Sequence, residues 1–163
     1  MLRIERATAA DVDAIQLVLR ETWLDTYKDH LAQATLEEVT TVWHDAALIA
    51  ARVQDPDLYF VVARDVGSTI CGLMTAQLKN GSDLFIYRLY VRPGQQHQGV
   101  GTALLSETLA TFPNAARILL QVVANNEKGF AFWRKHGFTE YGVKHETVAG
   151  ETFKVTVMER LLD

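Results

Sequence analysis

A chain of 163 residues, 48% apolar and 22% charged, is the size of one domain and can bury about 70% of its unfolded surface. Its formal charge of −4 argues against the basic face that nucleic-acid binding by counterion release requires. The single cysteine, Cys71, excludes an internal disulfide and a cysteine-based zinc site, and within the apolar run Ile70 to Met74 it reads as a buried structural thiol.

The first residues, Met1 to Asp13, show no apolar leader core, and no apolar run approaches the length of a membrane span. A cytoplasmic protein with no membrane partner is therefore expected. Leu2 to Arg6 alternates apolar and polar residues as a first strand does. Thr8-x-x-Asp11 then has the form of a capping box, with Thr8 placed to accept from a free N–H. Val12, Ile15, Leu19 and Trp23 follow at helical spacing and make one apolar stripe. The segment Trp23 to His30 has no clean period. It reads as a helix end and solvated loop, or, through Trp23, Asp25 and Tyr27, as part of a substrate wall. Thr35-x-x-Glu38 repeats the capping-box pattern and predicts one helix running to Asp55-Pro56, with Leu36, Val39, Val42, Trp43 and Ile49 on its buried face. Tyr59 to Arg64 and Ile70 to Leu78 are strands joined by a turn at Gly67-Ser68. Asn80-Gly81 ahead of Leu84 is a hairpin signal, because both residues tolerate positive φ. Strands two to four therefore form an antiparallel meander.

Leu84 to Phe112 carries most of the functional signal. An apolar strand leads into a turn rich in amides and glycine, then into a helix with Val100, Leu104, Leu105, Leu109 and Phe112 on its apolar side. That order presents free backbone N–H groups at a helix start, where a phosphate can bind. Arg117 to Val123 suits a central strand buried on both faces, and the intervening helix makes it a parallel neighbour of strand four. Asn125-Asn126, an aromatic helix from Glu127 to His136 and Gly137 as its stop come next. Two last strands, roughly Thr139 to Thr147 and Thr152 to Leu161, turn at Ala149-Gly150. There is no repeat, linker or low-complexity segment.

Gly99-x-Gly101 alone is a weak signal. A Walker A loop needs a lysine where Thr102 stands. A Rossmann fingerprint wants a small residue where Leu104 stands and an acidic residue about 20 positions on, where Leu119 to Val123 offers none. Gln96-x-x-Gly99-x-Gly101 directly after a strand needs no such adjustment. It resembles the coenzyme A-binding motif (Q/R)-x-x-G-x-(G/A) of the GCN5-related N-acetyltransferase family. A second stretch, Asn126 to Phe138, is similar to that family's asparagine, aromatic helix and closing Gly-Phe. With the order of elements, the resemblance spans nearly the whole chain. Residues 20 to 163 also resemble the polyamine-acetylating members, through Glu21-Thr-Trp-x-Asp-Thr-Tyr27 and Arg88-Leu-Tyr-Val91.

The resemblance implies a single α+β domain over residues 1–163. Its sheet is central, mixed and mostly antiparallel, with about seven strands and about four helices, strands four and five being parallel and splayed. It also implies acetyl-CoA as co-substrate and no metal. The pyrophosphate would lie on the N–H groups of His97, Gln98, Gly99, Val100, Gly101 and Thr102 after Gln96, with the two glycines removing side chains that hold phosphates away. Leu89, Tyr90 and Val91 would bond the pantetheine arm through their backbone. Asn126 would reach it from the other side, or cap the aromatic helix, or both. Arg92, Lys128, Arg134 and Lys135 are candidates for the remaining phosphate charge. The implied reaction is direct attack by an amine, with the N–H of Tyr90 or Val91 facing the developing oxyanion, a donor worth roughly 3 kcal/mol of barrier.

Two acid–base positions depart from the family pattern. Trp133 stands where many members have a tyrosine general acid, and Phe85 where others have a glutamate base. Protonation is then left to Tyr87, Tyr90, Tyr141 or water, while Trp133 packs and screens the thioester. Glu21 and Asp25 are candidates for holding a cationic amine. The expected activity is acetyl transfer to a small-molecule primary amine, a polyamine among the candidates. A protein N-terminus or lysine is the alternative acceptor. A coenzyme A-binding sensor without turnover is the alternative of another class. The oligomeric expectation is a monomer or homodimer.

Overall fold

The computed structural model describes all 163 residues. Strands Arg3–Arg6 (β1), Tyr59–Arg64 (β2), Ile70–Lys79 (β3), Asp83–Val91 (β4), Arg117–Val123 (β5), Thr139–Val148 (β6) and Glu151–Leu161 (β7) form one sheet in the order β1-β2-β3-β4-β5-β7-β6. The helices are Val12–Tyr27 (α1), Gln33–Glu38 (α2), Ala46–Gln54 (α3), Val100–Thr111 (α4) and Glu127–Lys135 (α5). The expected α+β architecture is present. β4 and β5 pair in parallel and every other neighbouring pair is antiparallel. No helix is long and apolar enough to cross a membrane.

Apolar residues on both faces of the central strands let helices cover each side. On one face Val61, Ala63, Met74, Leu84 and Ile86 pack with Leu104 and Leu105 of α4 and with Phe130 and Trp133 of α5. On the other, Phe60, Val62 and Leu73 meet Ile15, Val18 and Leu19 of α1 and Ile49 of α3. A third cluster, including Trp23, Tyr27, Leu36 and Val148, joins α1 and α2 to the β6–β7 hairpin.

The segment after α1 departs from expectation. The spacing predicts one helix from Thr35 to Gln54, but the chain forms two, with a π turn over Val39–Trp43 between them. Within that turn His44 N–H donates to Val39 O at 3.0 Å, one residue beyond the α-helical partner. The extra residue rotates Val42 and Trp43 off the buried face, and they stand 49% and 37% exposed. Asp45 restarts the helix as a true N-cap, accepting from Ala47 N–H at 3.0 Å and Leu48 N–H at 3.4 Å. Thr35 caps nothing. It is fully buried inside α2, and its hydroxyl donates to Glu151 Oε1 at 2.5 Å. At Thr8 the expected capping box forms, with Asp11 at its third position reaching back to the cap residue. The Asp11 carboxylate accepts from Thr8 N–H at 2.9 Å and from the Thr8 hydroxyl at 3.2 Å.

Two irregularities of β4 position the site. Thr75 pairs with Arg88 and Ala76 with Ile86, so Tyr87 is an extra residue, a β-bulge. Strict alternation would have placed Arg88 and Tyr90 on the core face of Leu84 and Ile86. The bulge hands that face to Leu89 and Val91 and turns Arg88 and Tyr90 toward α1. The β4–β5 ladder is short as well, holding only Asp83↔Arg117, Leu84↔Ile118 and Phe85↔Leu119. Arg117 pins that closed end through two hydrogen bonds to the Asp83 carboxylate, at 3.2 and 2.8 Å. Beyond Phe85 the strands part and leave a V open toward Val91 and Val123.

Candidate active site

The turn from β4 into α4 is held by its amide side chains. Gln96 Nε2 donates to Val91 O at 3.1 Å and Gln98 Nε2 to Gly94 O at 3.2 Å. His97 and Gly99 take left-handed φ values of 63° and 82°, which Gly99 adopts without strain. Ala103 N–H is the first to bond within the helix, to Gly99 O at 2.9 Å. The N–H groups from Gln96 to Thr102 have no acceptor in the protein. A run of free donors at the positive end of a helix suits a pyrophosphate. The expectation for Gly101 needs amending, because a Cβ there would stand 3.1 Å from Phe132 of α5. The glycine at 101 serves α4–α5 packing first.

The V between β4 and β5 exposes a specific set of backbone groups. Arg92 N–H donates to Cys71 O at 2.9 Å, and in an antiparallel ladder such bonds recur at every second residue. Arg88 and Tyr90 therefore point their N–H groups at β3, while those of Leu89 and Val91 point into the opening. Of the two expected oxyanion donors, Tyr90 N–H is spent on the ladder and Val91 N–H is free. On the far side, Asn126 caps α5 by accepting from Gly129 N–H at 2.9 Å. It also stands beside the Tyr27 hydroxyl, whose pKa burial pushes far up, with the neighbouring Tyr90 adding to the rise and the Asn126 hydrogen bond opposing it.

On the α1 face, over the same V, lies a cavity of about 490 Å³. Trp23 and Trp43 form its helical wall, Leu58 stands beside them just before β2, and Thr75, Tyr87, Arg88, Tyr90, Gln121 and Val123 make its floor. His44, Arg52, Asp55 and Glu146 also reach it. Trp23 Nε1–H donates to the Tyr90 hydroxyl at 3.1 Å, and the Trp23 and Tyr27 rings lie 4.4 Å apart. Burial lowers the His44 pKa to about 4, helped by the charges of Arg88 and Arg52, so the imidazole is neutral near pH 7.

A family model described as acetyltransferase (GNAT) matches residues 17–138, from within α1 to the end of α5 and Phe138. The chain belongs to that family. No curated protein matches the sequence significantly. Among solved structures, the PaiA N-acetyltransferase of Thermoplasma acidophilum in complex with coenzyme A is similar, with a TM-score of 0.82, 23% identity and 99% coverage of each chain. A GCN5-related N-acetyltransferase from Rhodopseudomonas palustris has a TM-score of 0.78 at 22% identity, covering 99% of this chain and 95% of that one. The ribosomal-protein-S18-alanine N-acetyltransferase of Escherichia coli has a TM-score of 0.73 at 16% identity, covering 98% and 92%. Identities this low show the fold, not the acceptor.

A GNAT acetyltransferase takes acetyl-CoA as co-substrate, and the donor run from Gln96 to Thr102 fits it. Val91, Leu89, Asn126, Trp23, Tyr90 and Tyr87 converge on the V and its cavity. Other expected residues do not. Glu21 is held by Arg92 through two hydrogen bonds, at 3.0 and 3.1 Å, and neither Glu21 nor Asp25 lines the cavity. That pair also engages the guanidinium expected to meet phosphate. Tyr141, 61% exposed on the edge strand β6, does not line the cavity. The Tyr87 hydroxyl donates a hydrogen bond to Gln77 Oε1 at 3.0 Å. Trp133 is 7% exposed in the core, edge-on to Phe132 and Phe138 at 5.0 Å each, so packing is its visible role. Phe85 sits under the Lys79 ammonium at 5.0 Å. Lys135 is exposed at the end of α5, with the neighbouring His136 bonded to Thr102 Oγ1 at 3.3 Å. Sequence reasoning missed His44, Arg52, Thr75 and the side chain of Arg88. A charge in the middle of an apolar strand was the available signal for Arg88, and the bulge that makes it meaningful has no sequence signature.

Proposed function

We propose that the chain transfers an acetyl group from acetyl-CoA to a primary amine of a small molecule seated in the α1-face cavity. The observation that supports this best is the V between β4 and β5, with free phosphate-binding N–H groups on one side and a walled cavity on the other. A cavity of about 490 Å³ suits a small molecule better than a protein segment. When bound, acetyl-CoA supplies a thioester carbonyl that the amine attacks, so that a C–N bond forms, the C–S bond breaks and the sulfur leaves with a proton.

Geometry supports a role for each residue. Val91 N–H faces the developing oxyanion. The Tyr90 hydroxyl accepts from Trp23 and keeps its own proton to give, so it is the acid of this site in place of the tyrosine absent at position 133. His44, with a pKa near 4, is too weak a base to take a proton from an alkylammonium. The rate therefore climbs with pH toward the acceptor's own pKa, about 10 for an alkylamine.

Thiol release measured against a panel of amines, with coenzyme A binding followed by calorimetry, tests the reading. Turnover on a small amine is expected, and Tyr90→Phe should lower kcat by about 10² or more while coenzyme A affinity holds. Binding without turnover on any amine would favour a sensor. Turnover confined to peptides would favour the protein-directed alternative.

A further inference from the structure

Four buried side-chain polar atoms in this fold lack a hydrogen-bond partner. Three of them, His44 Nδ1, Arg52 Nη1 and Thr75 Oγ1, belong to residues lining the α1-face cavity, and Thr22 Oγ1 is the fourth. Buried polar groups are normally satisfied, so three unpartnered atoms around one cavity point to a group that bonds there. The charges there point the same way. Neither Arg52 nor Arg88 forms an ion pair. The charge acting on Arg52 is that of Arg88, not of a carboxylate. Two carboxylates do line the cavity, but Glu146 is held by Lys144 at 2.8 Å, and Asp55 accepts from Asp57 N–H at 2.9 Å. Two unpaired guanidiniums, a neutral imidazole and a buried hydroxyl make a receptor for an anion.

The phosphates of acetyl-CoA are not that anion, because their donors lie on α4, across the sheet. Building on the acetyl-transfer reading, we propose that the acceptor is an amine that also carries an anionic group, a carboxylate or phosphonate as in an amino acid, and that Arg88 and Arg52 with Thr75 hold that group. Arg88 and Tyr90 share a face two residues apart, about 6.7 Å along the strand, which suits an amine and an anion separated by a few bonds. A polyamine would instead place ammonium groups beside two guanidiniums; Glu21 and Asp25 are not in the cavity, and of the two carboxylates that line it Glu146 is paired with Lys144, which leaves Asp55 alone against two guanidiniums.

The test compares each proteinogenic amino acid with its primary amide as acetyl acceptor. Aminomethylphosphonate and 2-aminoethylphosphonate form a second arm, and putrescine and spermidine a third. At least one acid should exceed its amide in kcat/KM by about tenfold or more. Arg88→Gln and Arg52→Gln should bring that ratio toward one, and Arg88→Lys should keep part of it. Calorimetry of coenzyme A binding verifies that each variant is folded. Amides or polyamines accepted as well as the acids, or an acid preference that survives Arg88→Gln, would overturn the proposal. Binding of the same acids is read separately from the NMR shift of the His44 imidazole without acetyl-CoA. Acids that bind but are never acetylated would sink the transferase reading and leave the anion site standing. Amines acetylated without regard to their anionic group would do the reverse.

Discussion

His44 shows how one side chain can report on the whole cavity. It is 1% exposed, its Nδ1 has no partner, and burial with the charges of Arg88 and Arg52 lowers its pKa from 6.5 to about 4. The sign of the linkage follows from that direction. The unfolded chain takes up a proton on His44 below pH 6.5 and the folded chain does not, so the contribution is intact above 6.5 and is lost as pH falls toward 4. The full loss is on the order of 3 kcal/mol. Urea unfolding at closely spaced pH values should show this slope, and His44→Gln should reduce it, leaving the part that belongs to His136, whose pKa burial and the charges of Lys135 and Arg160 also lower. The carboxylates of Asp83 and Glu151, held below their ordinary range by hydrogen bonds from Arg117 and Thr35, act at lower pH and do not mask it. An equal slope in His44→Gln would mean that another group titrates.

Among the elements, those bounded by strong local chemistry were legible in the sequence. β2 and β5 begin and end where the pattern put them, and Asn80 and Gly81 have φ of 52° and 78°, as their hairpin turn demands. What failed was periodicity applied across a hidden insertion. The π turn over Val39–Trp43 adds one residue to a helical count, and the Tyr87 bulge adds one to a strand count. Each changes which face the following residues occupy, and neither has a distinctive composition. The run of free N–H groups ahead of α4 was legible because its residues are contiguous. The α1-face cavity was not, because it gathers Trp23, His44, Arg52, Thr75, Arg88 and Phe153 from separate elements. Asp45 is the local signal that went unread, a cap inside an apparent helix. Asp45→Ala should cost about 1 kcal/mol by removing two acceptor bonds at the start of α3, measured as a lower urea midpoint at unchanged m-value. A midpoint equal to wild type would show that α3 is held by packing alone.

The molecule as a whole is a sheet in two halves, β1 to β4 and β5 with β7 and β6, joined along the β4–β5 edge by three ladder pairs. The acetyl-transfer proposal puts the co-substrate in this gap, and the gap leaves a signature in the backbone. With β5 withdrawn, Leu89 and Val91 have N–H groups turned into the opening, whereas those of Arg88 and Tyr90 remain bonded to β3. Hydrogen exchange of the four amides in the free protein should therefore alternate, fast at Leu89 and Val91 and slow at Arg88 and Tyr90. Saturating coenzyme A should slow the first two and erase the alternation, because the arm of the co-substrate takes the place of the missing strand. At a ligand concentration about 100 times Kd, binding also stabilises the fold by about 2.7 kcal/mol, so global opening slows for every amide that exchanges through it. The alternation in the free protein is independent of that general effect. If the four amides exchange alike without coenzyme A, β4 does not present Val91 to the opening, and its assignment as the oxyanion donor fails. If the alternation persists at saturation, the coenzyme lies elsewhere than along β4.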